Sequence, residues 1–241
     1  MSAASGSPWR LRRRRAVALA AAGALAAAGV AIGLDALRPD PAPRFAAPEG
    51  WLDLSPGAPA ERFRGIPEAL VSQARSGRFE AVAAEPAEAG EPVTQTFNAR
   101  LRPGSLRVDA KAVLAVASAL QGALRSAGPE VRSTDAGIVE IGGVPSIRVE
   151  ARLEAAGLVA RNVVYSVPMG RRTAVLTYSC AEHAWARCAS AVERSARATA
   201  GARAPTLPER MDLGRTAAGG AAALLCGAAA LALAAALRHP A

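Results

Sequence analysis

Apolar and polar residues alternate along several short segments in the middle of the chain. The clearest is 147–154, where apolar residues at every second position are separated by charged ones. A period of two predicts a strand with one buried face and one solvent-exposed face. Gly157 and the turn sequence 168–170 then bound two further apolar segments, 158–167 and 173–179. The three segments predict an antiparallel meander.

Three more segments outside the meander predict extended structure. Residues 93–101 alternate in the same way, 79–84 is a shorter candidate, and 51–54 is expected at an edge of the sheet. Strands of this length are common in small antiparallel sheets.

A helical period is clearest at 110–127. Its apolar residues recur three or four positions apart, which places them on one helix face: Val113, Val116, Leu120 and Leu124. Asp109 is placed to cap this helix at its start, and Gly128-Pro129 to end it. Two shorter helices are expected at 67–75 and 184–198.

The predicted elements follow the order helix, strands, helix, meander, helix. This order implies an α+β domain in which an antiparallel β-sheet is covered by helices. We place the domain at 51–201, long enough for a single core. Proline-rich linkers are expected on either side of it, at 37–50 and 202–215.

Three short motifs stand at turns of this domain: Pro-Glu-Gly-Trp-Leu-Asp-Leu-Ser-Pro at 48–56, Ser-Gly-Arg-Phe at 76–79, and Gly-Gly-Val-Pro at 142–145 before an amphipathic strand. These motifs resemble those of the PsbP-like superfamily. The resemblance covers roughly 51–200 and implies an α/β/α sandwich around a central antiparallel sheet. It also implies a binding or assembly role rather than an enzymatic one. No functional residue of that superfamily can be carried over to this sequence.

Both ends of the chain contain an Ala-rich apolar stretch. The first segment is 16–36, uncharged to Leu34, and the second is 216–237. An α-helix of about 20 apolar residues is long enough to cross the hydrocarbon core of a bilayer. We therefore predict an N-terminal and a C-terminal transmembrane helix. An Ala-rich soluble helix is the alternative for either stretch, and a signal peptide cleaved near 26–28 is the alternative for the first.

A cluster of arginines precedes the first stretch: Arg10, Arg12, Arg13, Arg14 and Arg15. Basic residues next to a span remain on the cytoplasmic side. We therefore expect 1–15 and the tail 238–241 in the cytoplasm, and the central domain outside an inner membrane. Gly29 and Gly33 form a small-residue pattern of the kind that packs helices closely within a bilayer.

The net charge of +9 does not indicate nucleic acid binding. The N-terminal arginines supply about half of it, and both signs are mixed along the central domain. Basic residues interleaved with aromatic ones, as in nucleic-acid-binding surfaces, are missing from the sequence. The membrane is therefore the one partner that charge predicts.

Cys180, His183 and Cys188 are the only clustered residues of ligand or nucleophile type. His183 and Cys188 are five positions apart and would point to different faces of one helix. We therefore predict no metal, no cofactor and no catalytic residue.

The same two cysteines are candidates for a disulfide, since disulfides persist in exported domains. Ser179 and Glu182 match a capping box, and a helix that began at Cys180 would hold Cys188 too far away to bridge. A bridge requires 181–183 to be non-helical. A bridge and a buried free Cys188 both remain open.

These expectations combine into a membrane-anchored extracytoplasmic domain that binds a protein or a small ligand, without enzymatic activity. The alternative is an envelope enzyme or thiol-redox factor that uses Cys180, His183 or Cys188. Arg161, on the second meander strand, is expected on a solvated face rather than in a pocket.

Overall fold

The computed structural model describes residues 42–64, 66–86, 95–126, 130–155 and 158–210, together with Ala24, Ala27 and Val30. The chain divides into two compact units, one formed by 40–205 and the other by 1–39 with 206–241. In the second unit, Ala24, Ala27 and Val30 are helical, and the short helix α4 spans Leu207–Arg210.

The two predicted spans lie almost entirely outside the described residues. The topology arginines Arg10 and 12–15, and the glycines Gly29 and Gly33, also fall outside them. Of the helices that can be described, none is both long and apolar enough to cross a membrane. The membrane helices therefore remain predictions.

The unit 40–205 is built on one seven-stranded sheet in which every neighbouring pair of strands is antiparallel. The strand order is β1-β2-β3-β7-β6-β5-β4. The strands are β1 (Leu52–Asp53), β2 (Ala81–Ala84), β3 (Thr96–Pro103), β4 (Glu130–Ile141), β5 (Val144–Ala155), β6 (Leu158–Met169) and β7 (Arg172–Ala181).

Helices cover both faces of this sheet. They are α1 (Glu68–Arg75), α2 (Ala110–Ser126) and α3 (Trp185–Arg197), with short 3-10 turns at Ala60–Phe63 and Glu182–Ala184. Helices α1 and α2 pack on one face, here called the α1/α2 face, and α3 packs on the other, the α3 face. The predicted α+β class, with an antiparallel sheet between helical layers, is confirmed.

The core of the α3 face is one continuous apolar cluster. Phe97 stacks on Tyr178 with 4.8 Å between ring centroids, and Leu176 and Val192 are fully buried in the same cluster. The Tyr178 hydroxyl is 2.8 Å from Ser195 Oγ of α3, so the one polar atom of this large side chain has a partner.

The core of the α1/α2 face consists of two separate clusters. Under α1, Leu54 and Val82 are fully buried against Leu70 and Ala74. Under α2, buried Val113 packs on a pair of fully buried residues of β5, Ile147 and Val149. The strands between these clusters present polar side chains to this face.

Helix boundaries lie within a few residues of those predicted. Helix α2 begins where Asp109 was expected to cap it, and Asp109 Oδ1 accepts a hydrogen bond from the Ala112 amide at 2.8 Å. The predicted capping box of Ser179 and Glu182 is wrong. β7 continues to Ala181, and α3 begins at Trp185 without a side-chain cap.

The sequence pattern missed β4, so the predicted three-stranded meander has four strands. β4 is an edge strand with a register shift at 131–133, and both features break the alternation that would have revealed it. Both proline-rich linkers also contribute to the domain. Arg44 pairs with Ala200 through two backbone hydrogen bonds, and Arg203 pairs with the backbone of the turn after β6.

Candidate functional site

A cavity of about 370 Å³ opens between α3 and the outer strands of the α3 face. We call it the α3 cleft. An α-helix with its side chains is about 10 Å wide, whereas seven strands at about 4.8 Å spacing form a much wider surface. One helix therefore leaves part of this face uncovered, and the cleft forms at the edge of the covered area.

Eight residues from β4, β5, β6 and α3 line the cleft: Val139, Glu140, Ile141, Arg148, Tyr165, Glu193, Ala196 and Arg197. Ile141 and Ala196 are fully buried and form its apolar base. Glu193 and Arg197 stand on one exposed side of α3, 3.4 Å apart as an ion pair. The cleft thus joins an apolar base to a charged rim.

Tyr165 supplies a neutral hydroxyl to the cleft. Its ring is 4% exposed and meets Tyr178 edge-on, with 5.9 Å between centroids. Burial raises the pKa of Tyr165, and the hydrogen bond from Arg148 opposes that shift only in part. The hydroxyl therefore stays protonated at neutral pH and can donate or accept a hydrogen bond.

The charges beside the cleft neutralise one another. Glu150 lies between Arg148 and Arg161, accepting hydrogen bonds from both guanidinium groups. Arg161 also donates two hydrogen bonds to Glu182, at 2.9 and 3.0 Å, and lies over the Trp185 ring. These bonds from Arg161 hold the pKa of Glu182 below its ordinary range.

The expectation for Arg161 is therefore only partly correct. It is neither a freely solvated strand residue nor a lining residue of the cleft. It is half-buried on the α3 face, where it connects β5, β6 and the turn before α3. A sequence pattern shows that a strand residue is charged, but not which carboxylates approach it from other elements.

Cys180 and Cys188 come together as buried free thiols. Cys180, near the end of β7, is fully buried, and Cys188, in the first turn of α3, is 3% exposed. Their side chains are in hydrogen-bond contact, because 181–183 is not α-helical. The segment 181–183 thus meets the condition that a bridge sets on it, and the disulfide stays a prediction.

The cysteine environment does not favour nucleophilic chemistry. Burial raises the pKa of Cys180 and of Cys188, so neither is a thiolate at neutral pH. His183 is exposed in the turn, while both thiols are buried. Within the described part of the chain, no group of three or more His, Cys, Asp or Glu side chains is arranged to hold a metal ion.

A second cavity, also about 370 Å³, lies between the loop after β1 and helix α1. Its lining is largely apolar or small, with Phe63 and Arg75 as its larger side chains. The Arg75 guanidinium lies 5.1 Å from the centroid of the Phe63 ring. This cavity offers little directional chemistry compared with the α3 cleft.

Sequence reasoning missed the residues of the α3 cleft. Arg148 belongs to the alternating segment 147–154, where charge was assigned to a solvent-exposed face. The missing signal was β4, since Val139 and Ile141 close the cleft on its outer side. Had β4 been recognised, the charged residues of the neighbouring strand would have indicated a sheet face that a helix covers only in part.

The sequence matches no protein-family model and no curated protein sequence. The solved structures that are similar to this chain include the following two. Cyanobacterial PsbP (CyanoP) from Synechocystis sp. PCC 6803 shares 13% identity with a TM-score of 0.44, over 65% of this chain and 85% of that chain. LpqN, described as involved in cell envelope biogenesis of Mycobacterium tuberculosis, shares 15% identity with a TM-score of 0.41, over 68% and 85% of the two chains.

At these identities and TM-scores, the similarity is structural and carries no argument about the family or the role of this chain. The similarity concerns the architecture of the sheet and its helices. Functional assignment therefore depends on the geometry of this chain's own site.

Proposed function

We propose that this protein is a non-enzymatic binding domain, held outside a cytoplasmic membrane by its terminal segments, whose α3 cleft takes up a small ligand or a segment of a partner protein. The observation that carries the proposal is the cleft itself. It combines an apolar base, a protonated tyrosine hydroxyl and a charged rim, and pockets of this make-up typically bind small ligands. The raised pKa values of the two cysteines support the non-enzymatic part.

Photo-crosslinking in the native membrane tests this use of the cleft. A photoreactive amino acid replaces Glu193, on the exposed rim, and in a matched control replaces Glu68, exposed on α1 on the other side of the sheet. We expect a specific adduct from position 193 and none from position 68. Adding Arg197→Glu, which reverses a rim charge without entering the core, should abolish the adduct.

Two results would count against the proposal. Equal labelling from positions 193 and 68 would show non-specific capture, and an adduct that survives both Arg197→Glu and Tyr165→Phe would show that the cleft does not select its occupant. Tyr165→Phe keeps the ring and removes the hydroxyl alone, so it leaves the packing against Tyr178 in place.

The proposed location rests on the apolar ends and the N-terminal arginines. A reporter that is active only outside the cytoplasm should be active when fused after Arg210 and silent when fused after Ala241. Neutral replacements at 12–15 should weaken this orientation, because those charges set it. Activity at both fusion points would contradict a second membrane crossing.

A further inference from the structure

The outer edge of β4 is a long strand edge without a neighbouring strand. β4 (Glu130–Ile141) stands last in the strand order, so among the described strands it pairs with β5 alone. The strand at the other edge of the sheet, β1, has only 2 residues. Folded proteins keep edge strands short or interrupt them, because an open edge is a template for pairing with another chain. An open edge of 12 residues therefore points to a partner strand.

The hairpin between β4 and β5 shows which backbone groups of β4 point outward. Ile141 and Val144 are opposite each other across the turn Gly142-Gly143, whose φ angles of 58° and 75° match a type I′ turn. The residues that flank such a turn exchange both backbone hydrogen bonds, and every second pair along the two strands does the same. The residues between those pairs direct their N–H and C=O groups away from β5. In the regular part of β4 they are Thr134, Ala136, Ile138 and Glu140.

Two further features agree with this assignment. Pro145 is opposite Glu140, and a proline without an N–H fits a pair that exchanges no hydrogen bonds. The register shift of β4 lies at 131–133, before the first of the outward-directed residues. A bulge there leaves the segment 134–140 regular, so its outward-directed donors and acceptors form one row.

Exposed apolar surface lies beside the same segment. In the unit 40–205, the large apolar side chains that are exposed among the described residues are Leu114, at 69%, and Ile138, at 53%. Val113, the residue before Leu114, packs on Ile147, and Ile147 is opposite Ile138 in the strand register. Leu114 and Ile138 are therefore at the same level along β4.

A hydrogen bond places Leu114 on the side of α2 that faces β4. Gln121 Nε2 donates to Thr134 Oγ1 at 2.9 Å. Leu114 precedes Gln121 by close to two helical turns, so both side chains lie on one stripe of the helix. Thr134 and Ile138 are an even number of residues apart and lie on one face of the strand. Leu114 and Ile138 thus form one exposed apolar patch at the open edge.

Antiparallel pairing of 134–140 with the same segment of a second copy uses every outward-directed group. With a two-fold axis at Gly137, each outward-directed residue lies opposite another one, for example Thr134 opposite Glu140 of the second copy. Each such pair exchanges two backbone hydrogen bonds. An axis at any other residue of the segment leaves some of these groups outside the paired region. The backbone therefore selects Gly137 as the centre.

The side chains agree with this register. Asp135 lies opposite Val139 of the second copy, so the acidic residues of the segment do not face like charges. Gly137 is on the axis, where its missing side chain allows the two strands to approach closely. Ile138 is next to the axis, so the apolar patch of one copy meets the patch of the other.

We propose that the protein forms a two-fold symmetric dimer through β4, which joins the two sheets into one continuous antiparallel sheet. Such a dimer requires each edge to be complementary to itself. The backbone groups and the apolar patch meet that requirement, because both are centred at or next to Gly137. The two α2 helices then lie side by side, and Leu114 and Ile138 become buried between the copies. The dimer uses the edge of the sheet and does not depend on a ligand in the α3 cleft.

Disulfide trapping of the full chain, in its native membrane and in the Cys226→Ala background, tests the register. A Cβ at Gly137 would meet no atom within 4 Å, so a cysteine fits there. Opposed residues without mutual hydrogen bonds have Cα atoms about 4.5 Å apart, within the range of a disulfide. We expect Gly137→Cys to give a covalent dimer after mild oxidation. In the matched control Asp135→Cys, the two cysteines are at least about 13 Å apart along the strands and should not link.

Sedimentation velocity of the full chain in neutral detergent tests the interface in a second way. Ile138→Lys places two like charges beside the axis and should raise the dissociation constant of the dimer at least about tenfold. Ala186→Lys adds the same charge at an exposed position of α3 and should leave the dissociation constant unchanged. A melting temperature close to that of the parent protein checks the folding of both variants.

Three results would overturn the proposal. The first is a folded chain that stays monomeric at high protein concentration and gives no disulfide from Gly137→Cys. The second is a dimer that Ile138→Lys leaves intact, since it would use another surface. The third is linkage of Gly137→Cys only to a different protein, which would show that an unrelated partner occupies the edge. Equal linkage from Gly137→Cys and Asp135→Cys would also contradict this register.

Discussion

Helices cover the apolar residues of the two sheet faces in different ways. On the α3 face, one helix covers one continuous apolar cluster, and the charges beyond the helix are paired within the chain. On the α1/α2 face, two helices stand over two small clusters and leave a polar floor between them. The comparison indicates that stability is concentrated on the α3 face, while the other face has polar side chains between its two apolar clusters.

The largest expected effect tests where the stability lies. Leu176→Ala empties a fully buried position of the α3 face and should lower the free energy of unfolding by about 3–5 kcal/mol. Leu120→Ala makes the same change at a half-buried position of α2 and should cost about 1–2 kcal/mol. Chemical denaturation of both variants measures the difference, and equal losses would break the distinction between the faces.

The cysteine pair offers a second test of stability on the α3 face, because it connects β7 to α3. If Cys180 and Cys188 form the predicted bridge in an exported domain, denatured protein should carry no free thiol apart from Cys226 of the C-terminal segment. The short loop should contribute about 2–3 kcal/mol, less any strain. The double change to Ser should then lower the melting temperature. Two further titratable thiols in the exported protein would contradict the bridge.

Removing one of the paired charges should lower the free energy of unfolding by a smaller amount. Glu150 is 17% exposed and accepts from two arginines, so Glu150→Gln leaves both with fewer partners in a partly desolvated place. We expect a loss of about 1–2 kcal/mol. Glu154→Gln, on the same strand in a more exposed pair with Arg132, should change stability by less than about 0.5 kcal/mol. Similar losses would mean that burial does not distinguish these pairs.

The smallest effect is a pH dependence. The pKa of Glu182 is lowered below its ordinary value of 4.5 in the folded state by hydrogen bonds from Arg161. Its contribution to stability is therefore complete above about pH 4.5 and disappears as the pH falls through the lower folded-state pKa. Arg161→Gln should flatten this acid-side slope in a series of denaturation curves. An unchanged slope would show that the pair does not contribute.

The fold could be predicted from the sequence to the extent that periodicity was local and strong. Helix α2 was found from its apolar spacing and Asp109, and β5 from strict alternation, because each pattern reflects burial on one face. Strand β4 was missed because an edge strand is largely solvent-exposed and this one has a bulge. The alternation of apolar and polar residues in a sequence reflects burial of one strand face, and an exposed strand can lack it.

The surroundings of the polar strand residues could not be predicted in the same way. Arg148, Arg100 and Asn162 stand at unremarkable positions of alternating strands, and nothing adjacent in sequence marks them. Their properties come from neighbours on other strands and helices. Arg148 has carboxylates beside it, Asn162 has one serine, and Arg100 has no ion-pair partner among the described residues. The cysteines were noticed because they are rare, but their contact depends on where α3 begins.

The sequence by itself determined the type and order of most elements, the α+β class and the apolar ends, because these follow from the spacing of apolar residues and from local caps and turns. The tertiary structure alone decided which strands became neighbours, which helix covered which face, and how far each helix extended across the sheet. Those choices set the surroundings of every polar side chain. A charged strand residue is paired with carboxylates on the α3 face, whereas Arg100 has no ion-pair partner within the part of the chain that the structure describes, since partners depend on distances in space.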